Sequence, residues 1–511
     1  VSEPDVSVVV AVYNTMPHLL DTFASLERQT IGFGRMQVLL VDDGSTDGSS
    51  AEVEAFAAKH PGNVLTRRQE NSGTPASPFN RGLEMATGRY VFFLGADDYL
   101  ADHALERLVE AADEWESDVV AGQSVGVGAR SVNQALYKAG TRPDVDPFDS
   151  PLPYNLANTK LFRRDLVERH DLRYREDLRS HCDQPFTFAA IMHARRVSVV
   201  ADEPLYFAVE QESQGNVTKT ARPLQMLHSK RVILETIAEH LPPGPQRDRY
   251  VRRQFEWDLA ALLNPSLLDL EPDVRQEVMS GVGELARTYL SEDVLPQMLV
   301  RERLRVALAG AEQHDLLVEV VESIRETKAT RVPAFIDVDG ERAFMAHPGF
   351  RDPATRLEWY ELHREAVTGR LAMGTVTEDV RVEGDDLVVR CVLRVRGLTP
   401  DDVSAGLGLV GDDGLAPAVR TVKSRPERAL PVSVHPHDGG AAVEIRCDRT
   451  SLKAVQSDSM RVWARIGPRS YDIPVPFAGA PVAAPAGLLR SVVTRADENG
   501  MLLLERGRSG R

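Results

Sequence analysis

Cysteine is scarce in this chain of 511 residues: there are three, Cys182, Cys391 and Cys447, and they lie far apart. That spacing excludes a disulfide framework and a short-spaced zinc site, and it suits a reducing compartment. Long apolar runs are missing too. With no stretch of about eighteen apolar residues, no membrane span is expected. The opening VSEPDVSVVVAVYN has no basic residue ahead of its apolar run. It reads as the lead into a strand, not as a signal peptide. Positive charge is in deficit, with 60 Lys and Arg against 76 Asp and Glu and a net charge of −16. A nucleic-acid binder needs a basic face for phosphates, so that class is disfavoured, while a local basic patch around an anionic substrate remains compatible. No short-period repeat or low-complexity tract is present; PVAAPAG (481–487) is the nearest approach to a linker.

What is present is globular: 42% hydrophobic and 27% charged residues, in a length that at roughly 100–200 residues per domain predicts two to four domains. Strand and helix signals alternate first. VSVVVAVYN (6–14) and MQVLLVDDG (36–44) are buried-strand runs, as are VLTRR (64–68), RYVFFLG (89–95) and SDVVAG (117–122). Helical spacing fills 17–29, 46–59, 76–86 and 102–115. This predicts an α/β layer structure with a parallel sheet, extending to about residue 220. Helical periodicity then dominates 221–328, a helical linker domain. From about 329 to 511 the period shifts toward two, with a hairpin at 379–397, which predicts β-sandwich material.

Ligands of open α/β sheets sit at the carboxyl ends of strands. Polar clusters fall there: Tyr13-Asn14, Asp42-Asp43 and Asp97-Asp98. Paired acids after a strand are common turn formers and caps. They also accept bonds from a base or ribose, or hold a hard divalent cation on phosphate oxygens.

Four stretches, AVYN (11–14), DDGSTDGS (42–49), ENSGTPASPFNRGLEMATGRYVFFLGADD (70–98) and HCDQPF (181–186), resemble the inverting glycosyltransferases of family 2, with the GT-A fold. The resemblance covers about residues 5–220. It implies donor-nucleotide contacts from Ala11, Tyr13, Asn14, Asp42, Asn71, Gly73 and Ala96, with Asp43 shaping the turn. It implies Mn²⁺ or Mg²⁺ on Asp97 and a catalytic base at Asp183. Asp98 is an accessory acid or helix cap, and His181 and Lys160 are accessory candidates. Lys160 and Arg163 are candidates to meet an anionic acceptor. Gly215–Thr218 is a candidate loop over the diphosphate.

The chain departs from the family pattern in places. Gly95 stands where relatives keep a first Asp, Cys182 where they keep Glu, and Phe79 where they keep Arg. Arg81, Arg67 or Arg68 are candidates to replace that Arg. Cys182 reads as a packing residue. QRDRY (246–250) reads as a solvated helix face, and His435-Pro436-His437-Asp438 as a turn. The order of transferase domain, helices and β material resembles the bacterial wall teichoic acid glycosyltransferases. That implies a UDP-sugar donor, a polymeric or glycan acceptor, a homo-oligomer (a trimer) formed through the C-terminal region, and a cytoplasmic site at the inner face of the membrane. Arg381, Arg390, Arg394 and Arg396 are candidates to touch an anionic polymer. Two rival readings are a sugar-nucleotide- or carbohydrate-binding protein of weakened activity, and a nucleotidyltransferase. The second usually has a Gly-rich basic loop after the first strand, where this chain has Tyr-Asn-Thr-Met-Pro.

Overall fold

β1 (Val6–Val12) is a Val-rich run with both faces covered, and it lies in the interior of the principal sheet. A strand wrapped on both sides has no use for alternation, so Val stands on both faces. β2 (Met36–Asp42) and β4 (Tyr90–Gly95) pair with it in parallel, and β3 (Val64–Arg68) extends the edge beyond β2. The crossovers are α1 (Leu19–Glu27), α2 (Ser49–Lys59) and α3 (Ala76–Met85). Gly82 lets α3 lie close on β1, for a Cβ there would sit 2.1 Å from Val9.

In this computed structural model the principal sheet is ordered β3-β2-β1-β4-β8-β6-β9. β6 (Val119–Gly122) and β9 (Val197–Val200) are parallel to each other. β8 (Lys160–Arg163) runs antiparallel to β4 and β6. The expected all-parallel sheet is therefore mixed. Four residues with a charge at each end carry little strand signal, yet Leu161 and Phe162 are fully covered. A second, three-stranded sheet orders β5 (Tyr99–Leu100), β10 (Tyr206–Val209) and β7 (Ser124–Val127). Also in this part are α4 (Ala104–Glu114), α5 (Arg164–Arg169) and α6 (Asp183–His193).

The structure describes residues 3–210, 222–330, 336–339, 342–363, 375–393, 395–396, 403–409, 428–437, 440–448, 460–466, 471–474, 483–487, 490–496 and 502–507. The chain divides into two compact units, Val1–Leu262 with Glu271–Val294, and Leu263–Leu270 with Leu295–Arg511.

In the first unit α7 (Pro223–His240) packs on α6 and on α9 (Pro272–Tyr289). Gly281 makes the second contact close, since a Cβ there would sit 2.4 Å from Leu227. α8 (Pro245–Arg253) runs directly into a π-helical turn, Gln254–Leu259. The expectation of a solvated face for 246–250 fails at Tyr250. Its ring is fully buried and its hydroxyl donates to the Pro147 carbonyl at 3.1 Å.

The second unit contains α10 (Val300–Gly310) and α11 (His314–Thr330), then sheet. β11 (Thr375–Glu383) and β12 (Asp386–Leu393) form the expected hairpin, turning at Gly384 with φ +62°. They extend antiparallel through β14 (Gly440–Cys447) to β13 (Val432–His437). His435 thus lies on a strand and not in a turn. A further, mostly separate set of antiparallel strands runs from Val403 to Gly507. No described helix is long and apolar enough to cross a membrane.

Candidate active site

Two turns meet at the carboxyl ends of β1 and β2. Asp42 closes β2, and its carboxylate faces its own turn. Oδ1 accepts from the Ser45 N–H (2.9 Å), Oδ2 from the Ser50 hydroxyl (2.5 Å), and Arg68 Nε lies 3.4 Å from Oδ2. Both oxygens therefore hold the turn into α2. Asp43, expected only to shape the turn, reaches the opposite loop. It accepts from Gln69 Nε2 (2.6 Å) and from the Ser72 N–H (3.1 Å) and hydroxyl (2.9 Å). Gly44 lets the two turns touch: its φ is +81°, and a Cβ would sit 2.9 Å from the Asn71 nitrogen. Only glycine meets both demands without strain.

The nucleotide candidates line up on either side of this junction. Ala11 stands in register with Val41 and Gly95. Tyr13 is 47% exposed at the end of β1. Asn14 has φ +49°; its Oδ1 accepts from the Thr46 N–H at 2.7 Å, and its own N–H donates to Ser45 Oγ at 3.1 Å. Across from them, Asn71 Oδ1 accepts from the Gly73 N–H at 2.6 Å, an Asx turn that sets the loop. Thr74 ties the loop to the Leu178 carbonyl, and the Arg179 guanidinium lies 3.9 Å from where a Gly73 Cβ would be. One loop, 71–74, therefore links the Asp43 turn to the segment that leads into Asp183.

β4 ends in Gly95-Ala96-Asp97-Asp98. Ala96 is buried, and its carbonyl accepts from Thr22 Oγ1 at 3.0 Å. Asp98 is buried and anchors the second sheet. Its carboxylate accepts from the Tyr206 hydroxyl (2.5 Å) and the Val209 N–H (2.8 Å). Burial, then the charge of Asp97, pushes it up to about 6. It caps no helix, since α4 begins at Ala104. Asp97 is half-buried beside it. A Cβ on Gly95 would sit 2.7 Å from Asp98 Oδ2 and 3.0 Å from Asp97 Oδ1. The space of the missing first acid is thus occupied by the two that follow. Among the described residues no cluster of three His, Cys, Asp or Glu could hold a metal. An ion carried on a diphosphate needs only one or two protein carboxylates, with waters completing its shell. Asp97 with Asp98 beside it fits that demand.

Asp183 opens α6. It is surrounded by protein yet keeps partial solvent access. Burial raises its pKa, opposed by Lys230, Lys160 and Arg253. Lys160 does not face outward as expected. It is fully buried, and its ammonium donates to the Asn155 carbonyl (2.9 Å), Asn155 Oδ1 (2.6 Å) and the Ala157 carbonyl (2.7 Å). Burial pushes it down to about 7, while three oxygen acceptors surround its nitrogen. Arg163 is committed to Asp118 at 2.9 Å. His181, with φ +56°, is pushed down to about 3 by burial and then by Lys230, so its ring is neutral. Its Nδ1 is buried with no hydrogen-bond partner among the described residues. Cys182 is buried and its thiol is pushed up by burial and by Asp183, which fits a packing role.

The arginine replacements are dispersed. Arg81 and Arg67 both lie on Glu84, at 2.9 and 3.7 Å, and only Arg68 reaches the Asp42 turn. Phe79 packs against Phe93 and Tyr174, ring centroids 5.3 and 5.1 Å away, in the aromatic core beneath α6. Gly215–Thr218 and Arg394 lie outside the described residues, as does the Arg396 side chain. Arg381 and Arg390 are paired with Asp379, Glu383, Glu444 and Glu378. Sequence reasoning missed Lys230, Arg253 and Asp258. A lysine in an amphipathic helix reads as solvated, and nothing local marks Lys230 as an exception.

Residues 7–171 match glycosyl transferase family 2, and residues 223–321 match the glycosyl transferase TarS linker domain. The chain is 32% identical over 209 residues to a poly(ribitol-phosphate) β-glucosyltransferase of Bacillus spizizenii, covering 41% of this chain but only 33% of that protein. It is 28% identical over 393 residues to the poly(ribitol-phosphate) β-N-acetylglucosaminyltransferase TarS of Staphylococcus aureus, covering 74% of this chain and 67% of TarS. The crystal structure of TarS 1-349 in complex with UDP-GlcNAc superposes with a TM-score of 0.58 at 26% identity, covering 67% of this chain and 97% of that one.

Proposed function

Taking as premise that residues 7–171 are a glycosyltransferase family 2 domain, we propose that the protein is an inverting glycosyltransferase. It moves a hexose such as N-acetylglucosamine from a UDP-sugar to a hydroxyl of a cell-envelope polymer of the poly(ribitol phosphate) type. The similarity to TarS, crystallised with UDP-GlcNAc, supports the donor. The observation that carries the reading is Asp183: a carboxylate at the start of α6, on the segment that Thr74 ties to the same loop Asp43 holds.

In this reading Ala11, Tyr13 and Asn14 form one wall of the nucleotide site, and Asn71 and Gly73 the other, with Ala96 at its floor. Asp97 would hold Mn²⁺ or Mg²⁺, which when bound offsets the charge of the departing diphosphate. Asp183 takes the proton of the acceptor hydroxyl as that oxygen bonds to the anomeric carbon. The bond from that carbon to the diphosphate oxygen breaks on the opposite face, so the configuration inverts. A raised pKa suits a base, because a carboxylate that holds its proton more tightly accepts one more readily.

Release of UDP from UDP-N-acetylglucosamine with Mn²⁺, with and without a poly(ribitol phosphate) acceptor, tests this. Turnover that disappears in Asp97→Ala and Asp183→Ala supports it; turnover that survives both sinks it. A second reading, a sugar-nucleotide binder without turnover, is favoured by Gly95 and Phe79. It predicts UDP binding by calorimetry and no release in any condition.

A further inference from the structure

We propose that Lys230, on the linker helix α7, is a positioning residue for Asp183, setting the charge environment in which that carboxylate works. The inference rests on the reading of Asp183 as the base. Lys230 is fully buried, and its ammonium lies 2.7 Å from Asp258 Oδ2 and 3.2 Å from Gln184 Oε1. Gln184 is the residue after Asp183 on α6. Asp258 comes from the π-helical turn and is shared with Arg253, which also donates to Gln254 Oε1 at 3.0 Å. A buried ammonium and its partner cost several kcal/mol to desolvate. Stability alone is poorly served by such a pair, for apolar residues of equal volume often do as well.

The charges do not balance within the network. Lys230 and Arg253 stand against Asp258, leaving one positive charge over, and Lys230 also donates to Gln184, the residue next to Asp183. Each group around that acid has a sign. Lys230 on α7, Lys160 on β8 and Arg253 on α8 favour its ionised form. Tyr174 and Cys182 face it as neutral groups, both pushed upward by burial and by Asp183 itself. His181 is neutral and adds no charge. Although burial works against it, Asp258 is held at about 2 by Lys230 and Arg253, so it stays ionised and keeps both cations in place. The helical linker thus completes the electrostatics of the transferase site, through two residues, Lys230 and Asp258, that the family 2 match at 7–171 does not include.

The test is the pH profile of UDP release from UDP-N-acetylglucosamine by the full chain. In Lys230→Met, Asp258 retains Arg253, so no acid is orphaned, and UDP binding by calorimetry reports the fold. Loss of the nearby cation moves the acid limb up by about one pH unit, so that well below the midpoint the rate falls about tenfold. Lys230→Arg keeps the charge and returns the limb to within a few tenths of a unit, even if the maximal rate drops. The inference is overturned if Lys230→Met leaves the limb unmoved, or if Lys230→Arg shifts it as far. Asp183→Asn separates the two ideas. If it removes the limb while Lys230→Met does not move it, only the Lys230 inference fails. If it leaves rate and limb intact, the base assignment fails, and this inference with it.

Discussion

Four cations that look alike in sequence meet opposite fates in the two units. Lys160 and Lys230, in the first, are fully buried and donate to two backbone carbonyls, two side-chain amides and one acid. Arg381 and Arg390, in the second, lie on a sheet surface and form ladders with Asp379, Glu383, Glu378 and Glu444. The difference is desolvation. In water an ion pair exchanges one set of good partners for another and gains little. Inside the protein each charge must be met in full, and the arrangement that meets it is rigid. A rigid charged shell is what a buried base would require, and cations of that shell favour the ionised form of Asp183, the proposed base; the ladders on β11 and β12 lie on the sheet surface.

That contrast can be broken experimentally, beginning with the largest effect. Asp183→Asn removes the proposed proton acceptor at nearly constant shape, and transfer measured by UDP release is expected to fall by about 10²–10⁴-fold. The wild-type rate should fall with acid through a midpoint above the ordinary carboxylate range, since burial raises the pKa of Asp183 and only the ionised form accepts a proton. A midpoint near an exposed aspartate's value would contradict the described burial. Next, Lys160→Ala leaves a cavity and strips partners from the Asn155 and Ala157 carbonyls. Denaturant unfolding should show a loss of about 3 kcal/mol.

Restoring the family acid is expected to hurt. Gly95→Asp drives a side chain into the carboxylates of Asp97 and Asp98 and must displace Asp98 from Tyr206. A loss of about 1–3 kcal/mol in thermal or chemical unfolding would follow, whereas a gain in both stability and turnover would show that the site retains room for two acids. The smallest effect belongs to the ladder: Arg390→Ala should change unfolding by about 0–1 kcal/mol, and less in high salt. If Arg390→Ala cost as much as Lys160→Ala, the contrast between the two regions would collapse.

Much of the first unit was legible from local pattern. Buried strands such as Val6–Val12 and Met36–Asp42 are mostly apolar with no alternation, and their helices carry one apolar face, so element type and order follow from the pattern. β8 escaped because four residues are too short for a period, and its strand state depends on the neighbours β4 and β6. Asp42 and Asp43 were placed correctly at a strand end, but which of them faces the loop is a matter of turn geometry. Successive side chains point opposite ways, and Ser45 and Ser50 claimed the first. Tyr250 seemed solvated because its neighbours in QRDRY are charged, while its ring finds the 147 loop across the fold.

What the chain alone made legible was the chemistry on offer: acids at strand ends, glycines at Gly44 and Gly73 where the backbone turns left-handed, and a resemblance to the family 2 transferases. Those features are local, and local physics writes them in neighbouring residues. Which partners each charged group finds came only with packing. Desolvation depends on everything packed around an atom, and Lys160, Lys230 and Asp258 come from elements far apart in the chain. Their burial beside Asp183, like the crowding of Asp97 and Asp98 over Gly95, arises when those elements meet.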